Sequence, residues 1–405
     1  MTHSVLPDAI ALGLLTVQIP AVAILLSRLL RGPWRQPPLQ PQSATPEMAG
    51  QVSAVVPTLN EVERLTPCLQ GLAQQTAELR EVTIVDSRST DGTQALVKAA
   101  QQDHPRLQLM EDDPLPEGWV GRPWALHSGW LASDPQARWI LGIDADTQPQ
   151  PGLIPSLLQT AAAQDFDLIT LSPQFILQYP GEIWLQPALL MTLVYRFGAA
   201  GDLTNAPERV MANGQCFFCK QSVLKAINGY TIAASSFCDD VTLARAIAKT
   251  GAKVGFLDGA KVIKVRMYEG LQETWREWGR SLDLKDASER APIMTDLWVL
   301  TMTQGFPIGL LIWSHILLRQ GDGQLPVVIL GSLNLLLAII RFALNFAILP
   351  SYDLSAATGK WLFWLSPLAD PLAVARIWLS ANRTPTEWRG RTYTSASKIN
   401  LPDPT

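Results

Sequence analysis

The sequence has no basic excess. Its 405 residues hold 32 Lys and Arg against 36 Asp and Glu, a net charge of −4, which argues against a nucleic-acid partner. Charge of either sign is scarce, at 17% beside 47% hydrophobic residues, where soluble domains carry roughly a quarter. That deficit points to a membrane. Cysteine is scarce too. Cys68, Cys216, Cys219 and Cys238 cannot staple a chain this long. Cys216 and Cys219 spell Cys-x-x-Cys, but no second pair completes a zinc site, and the apolar run around them reads as a buried strand. No Gly-rich phosphate loop follows the first strand pattern, where Pro57-Thr58-Leu59-Asn60 stands instead. This tells against a nucleotidyltransferase-like enzyme. No internal repeat or low-complexity segment is evident.

Long apolar runs are what the chain has instead. Residues 9–27 carry no charge and are long enough to span a bilayer. Arg28, Arg31 and Arg35 follow at once, which predicts an N-terminus outside and residue 28 onward in the cytoplasm. A cleaved signal would carry its basic residues before the run, not after it. Five prolines over residues 32–50 predict an extended linker. Beyond residue 290, Leu297–Leu318 and Leu325–Leu349 are of spanning length, with Arg341 inside the second. Trp361–Ala381 is apolar but interrupted at Pro367 and Asp370-Pro371. A third full span there would place the basic tail (Arg383, Arg389, Arg391, Lys398) outside. A re-entrant or interfacial hairpin is therefore expected. The organisation read from the chain is an anchor at 1–31, a linker at 32–50, an α/β domain at 51–290, membrane segments at 291–381 and a basic cytoplasmic tail at 382–405.

Between the apolar ends, strand and helix patterns alternate. Val52–Val56 reads as a strand stopped by Pro57, followed by a helix opening at Thr58 and running to about Gln75. Val82–Val85 ends at Asp86, and a helix covers 94–102. Leu107–Met110 and Trp139–Ile143 are further strands. Such alternation predicts a mostly parallel central sheet with helices on both faces, and ligands bind beyond the strands' carboxyl ends. Pro57–Glu61, Asp86–Thr93 and Asp144–Thr147 all sit at such ends. Asp144 and Asp146 lie one residue apart, which on an extended backbone puts both on one side. Two hard oxygen ligands suit Mg²⁺ or Mn²⁺.

Four pieces, in this order and spacing, resemble the family 2 inverting glycosyltransferases of GT-A fold over roughly residues 51–290. They are Pro57-Thr58-Leu59-Asn60-Glu61, the run from Asp86 to Thr93, Asp144-Ala145-Asp146 and Cys238-Asp239-Asp240. Pro116–Leu126 and the flanking apolar segments resemble a membrane-attached branch that includes hopanoid-associated and cyanobacterial carotenoid 2'-O-glycosyltransferases. The resemblance implies roles. Pro57, Asn60 and Glu61 would line the base and ribose of a UDP- or GDP-type sugar donor, and Asp86 would hydrogen-bond the base. Arg122, in place of the family's more usual lysine, would sit near the base or diphosphate. Asp144 would contact ribose or sugar, and Asp146, with Asp144, would hold Mg²⁺ or Mn²⁺. Gly214 and Gln215 would meet donor sugar and acceptor, as would Trp275, Trp278 and Arg280. The acid pair Asp239-Asp240 would be catalytic, with Asp240 the base.

Ile183–Ala200 reads as an amphipathic helix beside the acceptor site, or as an ordinary core helix. The Gln-x-x-Arg-Trp of processive synthases is absent, which argues against polymer synthesis. The expected activity is non-processive sugar transfer to a hydroxyl of a lipidic acceptor, a carotenoid or hopanoid alcohol, at the inner membrane and without an obligatory protein partner. Transfer to polyprenyl phosphate, or a non-catalytic scaffold that binds sugar nucleotides, are the alternatives.

Overall fold

A computed structural model describes residues 5–278, 282, 284–382, 387–388 and 391–392. Of the tail's basic residues, Arg383, Arg389 and Lys398 lie outside the described residues. The chain divides into two units. One comprises Gln36–Phe175, Leu203–Met267 and Thr384–Thr405; the other comprises Met1–Arg35, Ile176–Asp202 and Tyr268–Arg383.

The strands between residues 52 and 265 are β1 Val52–Thr58, β2 Leu79–Asp86, β3 Leu107–Glu111, β4 Trp139–Gly142, β5 Thr147–Pro149, β6 Leu168–Ser172, β7 Gln174–Ile176, β8 Phe217–Lys220, β9 Val254–Asp258 and β10 Ile263–Val265. Seven form one sheet in the order β3-β2-β1-β4-β8-β6-β9. Only β8 runs antiparallel to its neighbours, β4 and β6. β10 pairs with β5 and β7 in a smaller sheet. The helices are α1 Leu65–Ala73, α2 Thr93–Asp103, α3 Gly121–Ala132, α4 Leu153–Gln164, α5 Gln221–Ala226 and α6 Asp239–Lys249. Period-two alternation explains how both faces of the sheet are covered. Val52, Ala54, Val56 and Ile84 share one core with Leu65, Leu72 and Val97 of α1 and α2. Val55 and Val85 point the other way, onto α3. Gly129 lets that helix close in, since a Cβ there would meet Val55 Cγ1 at 2.3 Å. This is the α/β architecture expected from the alternating pattern.

Local boundaries differ from expectation for physical reasons. Pro57 lies inside β1. β4 pairs only as far as Val55, so a missing N–H beyond that point costs no bond on the open side. The helix expected from Thr58 begins at Leu65, because Asn60 takes φ 55° and residues 61–64 form turns. The segment expected as a free linker is packed down. Leu39 is buried in the sheet core, its N–H donates to Asp258 O at 2.8 Å, and Ser156 Oγ donates to Gln40 O at 2.7 Å.

The second unit is helical. Leu6–Trp34, Leu325–Ser351 and Lys360–Ala381 are each long and apolar enough to cross a membrane. Their polarity is inverted relative to a soluble protein. Leu12, Ile19, Leu336, Ile339 and Phe346 are exposed, whereas Gln18, Asn334, Arg341 and Asn345 are buried. Gln18 and Asn334 exchange amide hydrogen bonds at 2.8 and 3.1 Å. Arg341 donates to both Asp370 oxygens at 2.7 and 3.1 Å and to Asn345 Oδ1 at 2.6 Å. Polar groups turned inward and paired are what a bilayer demands.

The break expected in 361–381 lies elsewhere. Lys360–Ala369 is a 3₁₀ run that continues into the helix Asp370–Ala381. Instead, the segment read as a straight span at 297–318 is bent by 48°, between Arg290–Gly305 and Pro307–Gln320. A π turn at Thr301–Gly305 and the missing N–H of Pro307 account for the bend. Pro180–Phe197, one reading of which was amphipathic, buries Glu182, Gln186, Leu189, Met191 and Arg196 alike, as a core helix of this unit does.

Candidate active site

The site is assembled around one guanidinium. α3 begins at Gly121, so Arg122 stands in its first turn. The preceding Val120 N–H is tied to Ala234 O at 2.7 Å. Arg122 Nε donates to Asp144 Oδ1 at 2.8 Å, Nη1 donates to Asp239 Oδ2 and Nη2 donates to Gly214 O at 3.0 Å. Arg122, Asp144, Gly214 and Asp239, far apart in sequence, thus meet at a point. A Cβ at 214 would lie 2.4 Å from Arg122 Nη2 and 3.2 Å from Asp144 Oδ2, so any side chain there would displace the guanidinium.

Asp144 and Asp146 do not lie on extended backbone. β4 stops at Gly142, and Asp144–Thr147 is a turn closed by Thr147 N–H donating to Asp144 O at 3.1 Å. The alternation survives even so: Ile143, Ala145 and Thr147 are buried, while Asp144 and Asp146 are half-buried. Beneath the turn, Cys68 Sγ approaches Asp144 O at 3.8 Å. Burial, then the charges of Asp146, Asp144 and Glu61, push the Cys68 thiol far up, so these three carboxylates surround it closely enough to be felt.

The acid pair occupies the first turn of α6. Burial raises the Asp239 carboxyl above the usual range, against the opposing pull of Arg122. Asp240 is pushed up to about 7, by burial first and by Asp239 next, while Arg122 and the Val241 N–H oppose the shift. Burial disfavours the charge on Arg122, but Asp144, Asp239 and Asp240 outweigh it and hold the guanidinium ionised. Carboxylates exceed cations here. Among the described residues no group of three His, Cys, Asp or Glu could by itself hold a metal ion. That donor set fits Mg²⁺ or Mn²⁺ carried in with a substrate, since such ions take one or two protein carboxylates and fill the remaining positions with phosphate oxygens and water.

Two loops at the ends of β1 and β2 brace each other. Asn60 N–H donates to Ser89 Oγ at 2.8 Å, and Asn60 Oδ1 accepts from Thr90 N–H at 2.9 Å. Glu61 N–H donates to Thr93 Oγ1 at 2.9 Å and Val62 N–H to Asp91 Oδ2 at 3.0 Å. Asp86 is fully buried. It accepts from Ser89 Oγ, Ser89 N–H, Gln94 Nε2 and Thr58 Oγ1 at 2.5, 2.9, 2.8 and 3.3 Å. A carboxylate has about four acceptor positions; Ser89 and Gln94 fill three, and at the fourth stands the Thr58 hydroxyl, whose one proton also faces Val85 O at 3.2 Å, so a base could reach Asp86 only by moving one of these groups. Ser89, Gln94 and Thr93 carry loop-holding duties that sequence reading did not assign. The Asp86-x-x-Ser89 spacing of a side-chain-capped turn was the available signal.

Of the other expected residues, Pro57 and Glu61 flank the braced loops, and Gln215 is buried with its N–H on Asn213 Oδ1 at 3.0 Å. Trp275 and Trp278 belong to the helical unit, where Arg376 lies 5.8 Å from the Trp275 ring. Arg280 lies outside the described residues.

A mixed α/β sheet with acidic turns gathered at its strand ends defines a nucleotide-sugar transferase fold. Residues 53–227 match the model of glycosyl transferase family 2. It is 24% identical over 251 residues, 61% of this chain and 65% of the relative, to a 4,4'-diaponeurosporenoate glycosyltransferase of Staphylococcus haemolyticus (strain JCSC1435). It is 22% identical over 134 residues, 33% of this chain and 37% of the relative, to the uncharacterized glycosyltransferase YibD of Escherichia coli (strain K12). The chain thus spans less than two thirds of the length of either relative. Its fold is similar to that of a mannosyltransferase from Pyrobaculum calidifontis in complex with GDP-Man and Mn²⁺, with TM-score 0.50, 18% identity, and coverage of 91% of this chain and 97% of that one.

Proposed function

We propose that this glycosyltransferase is membrane-bound and inverting, and that it moves a sugar from a nucleoside diphosphate to a hydroxyl of a lipidic acceptor. The observation that carries the reading is the meeting of Asp144 and the Asp239-Asp240 turn at Arg122, beyond the strand ends. The braced loops of Pro57, Asn60 and Glu61 would form the wall against base and ribose, with Asp86 shaping that wall from behind. Arg122 would face the diphosphate, and Gly214 and Gln215 the donor sugar. Asp146, with Asp144, would hold Mg²⁺ or Mn²⁺, and the bound ion would act as a Lewis acid on the leaving diphosphate. Asp240 takes the proton of the acceptor hydroxyl as its oxygen bonds to the anomeric carbon; the bond from that carbon to the phosphate oxygen breaks, and the nucleoside diphosphate departs with the electron pair.

A carotenoid or hopanoid alcohol is the acceptor we favour. The inverted polarity of the helical unit supports a lipidic acceptor, as does the name of the staphylococcal relative. Comparing lipid and pigment extracts of a deletion strain with those of the parent tests this, since a lost glycosylated species names sugar and acceptor together. If no lipid or pigment changes, the lipidic acceptor is wrong. We further place residues 28–290 on the cytoplasmic side. All four native thiols are buried, so a cysteine introduced at exposed Lys98 reports the side cleanly. Labelling of Lys98→Cys in intact cells by an impermeant reagent would reverse this assignment.

A further inference from the structure

Arg122 carries a duty beyond the diphosphate contact proposed for it. Each edge of its guanidinium is committed: Nε to Asp144, Nη1 to Asp239 and Nη2 to the Gly214 carbonyl. Its side chain is 13% exposed, and that of Asp239 is 7% exposed. Asp239 and Asp240 are adjacent in one helical turn, where successive side chains diverge by about 100°. Fixing Asp239 therefore leaves Asp240 aimed away from the guanidinium, and Asp240 Oδ1 makes only a local bond, from Val241 N–H at 2.9 Å. The absent side chain at Gly214 leaves the room that this arrangement needs.

We propose that Arg122 is a positioning residue for the acid pair: its hold on Asp239 sets the direction of Asp240, and its simultaneous hold on Asp144 ties that direction to the donor side of the site. The inference rests on the glycosyltransferase reading above. It also explains why a planar fork stands here. A lysine ammonium is one point charge and cannot hold three acceptors in a fixed plane.

The test is a double-substitution cycle in the full chain, with Arg122→Lys, Asp239→Asn and the pair combined. Two numbers are taken for each protein: turnover, as nucleotide released from UDP-glucose or GDP-mannose with membrane-lipid extract as acceptor source, and calorimetric affinity for UDP or GDP with Mn²⁺. Arg122→Lys removes the fork but keeps a positive charge by the diphosphate, so nucleotide affinity should fall clearly less than turnover, which drops about 10- to 100-fold through lost alignment. Because the two residues act as a unit, the double variant should lose no more turnover than the worse single. Gly214→Ala displaces the same guanidinium without removing a polar group and should reproduce the turnover loss, which guards against misfolding of the lysine variant. Losses that multiply, or a fall in nucleotide affinity matching the fall in turnover, would overturn the positioning role while leaving the enzyme reading intact. A wild-type protein that releases nucleotide from neither donor would sink both.

Discussion

Both units bury charge, but they treat it differently. In the helical unit each buried cation meets its acid with further hydrogen bonds to spare. Arg341 and Asp370 pair through two bonds and are joined by Asn345 and Gln304. Arg28 and Arg196 share the two oxygens of Asp296. In the α/β unit, three acids, Asp144, Asp239 and Asp240, act on the one guanidinium of Arg122, and Asp146 stands in the same turn as Asp144. A closed pair is a structural solution to burial. An open excess of carboxylate stores an unfavourable charge that a cation and a deprotonating reaction can use.

The largest effect should come from subtracting from that excess at Asp146, the proposed metal ligand. Asp146→Asn replaces a hard ligand with a neutral amide and should take turnover below measurable levels, as EDTA should in the wild type, reversibly on adding Mg²⁺ or Mn²⁺. Full turnover in EDTA would show that the surplus of carboxylate serves something other than a metal. Next is Asp240→Asn, with a loss of about 10²–10⁴ in turnover, the usual worth of a positioned base, and little change in nucleotide affinity. Burial and Asp239 hold Asp240 up at about 7, and a base must be ionised to act. Turnover should therefore fall as pH drops through about 7 and level off above it. A profile flat from pH 5 to 8 would remove Asp240 as the base and favour an acceptor that is already anionic, such as polyprenyl phosphate.

Breaking the closed pair gives the contrasting signature. Arg341→Met leaves Asp370 buried alone and should cost about 3–5 kcal/mol of stability, seen as lower thermal stability in detergent. Turnover per folded molecule should hold. Arg341→Met combined with Asp370→Leu should recover most of the stability, because an apolar pair removes both desolvation costs. If turnover falls while stability does not, the pair belongs to function and the contrast between the units is wrong.

Much of this was readable from the chain. Alternating patterns carry the parallel sheet because period-two burial is local information. Asp144 and Asp146 stand out as acids at the end of a strand pattern, whereas Asp239-Asp240, an acid pair such as any helix N-terminus can carry, was singled out by the family resemblance. What was not legible depends on distant partners. The fork of Arg122 needs residues 144, 214 and 239 at once. The packing of Leu39 onto the sheet core, which proline content does not announce, ties the linker down. The bend before Pro307 lies in a run, 297–318, whose apolar composition reads as one span.

The smallest effect expected, and the one that most sharpens the comparison, is at Asp86. By composition it belongs to the site; by bonding it resembles the closed pairs, with Ser89, Gln94 and Thr58 around a fully buried carboxylate. In Asp86→Asn an NH₂ group replaces one accepting oxygen, so either the N–H groups of Ser89 and Gln94 lose their partner or the Ser89 and Thr58 hydroxyls must turn from donating to accepting. That should cost about 1–3 kcal/mol of stability. If the carboxylate only shapes the loop, UDP should remain preferred over CDP by an unchanged ratio, however much both affinities drop. If it reads the base directly, the ratio must move, because uracil offers an imide N–H to a carboxylate where cytosine offers a bare acceptor nitrogen, and an amide side chain can meet either. Calorimetry of UDP and CDP with Mn²⁺ against wild type and Asp86→Asn separates the cases. A constant ratio places Asp86 with Arg341 and Asp370 among groups that hold the fold. A shifted ratio returns it to the open cluster and means that a donor such as Thr58, the longest of its four bonds at 3.3 Å, gives way when nucleotide binds.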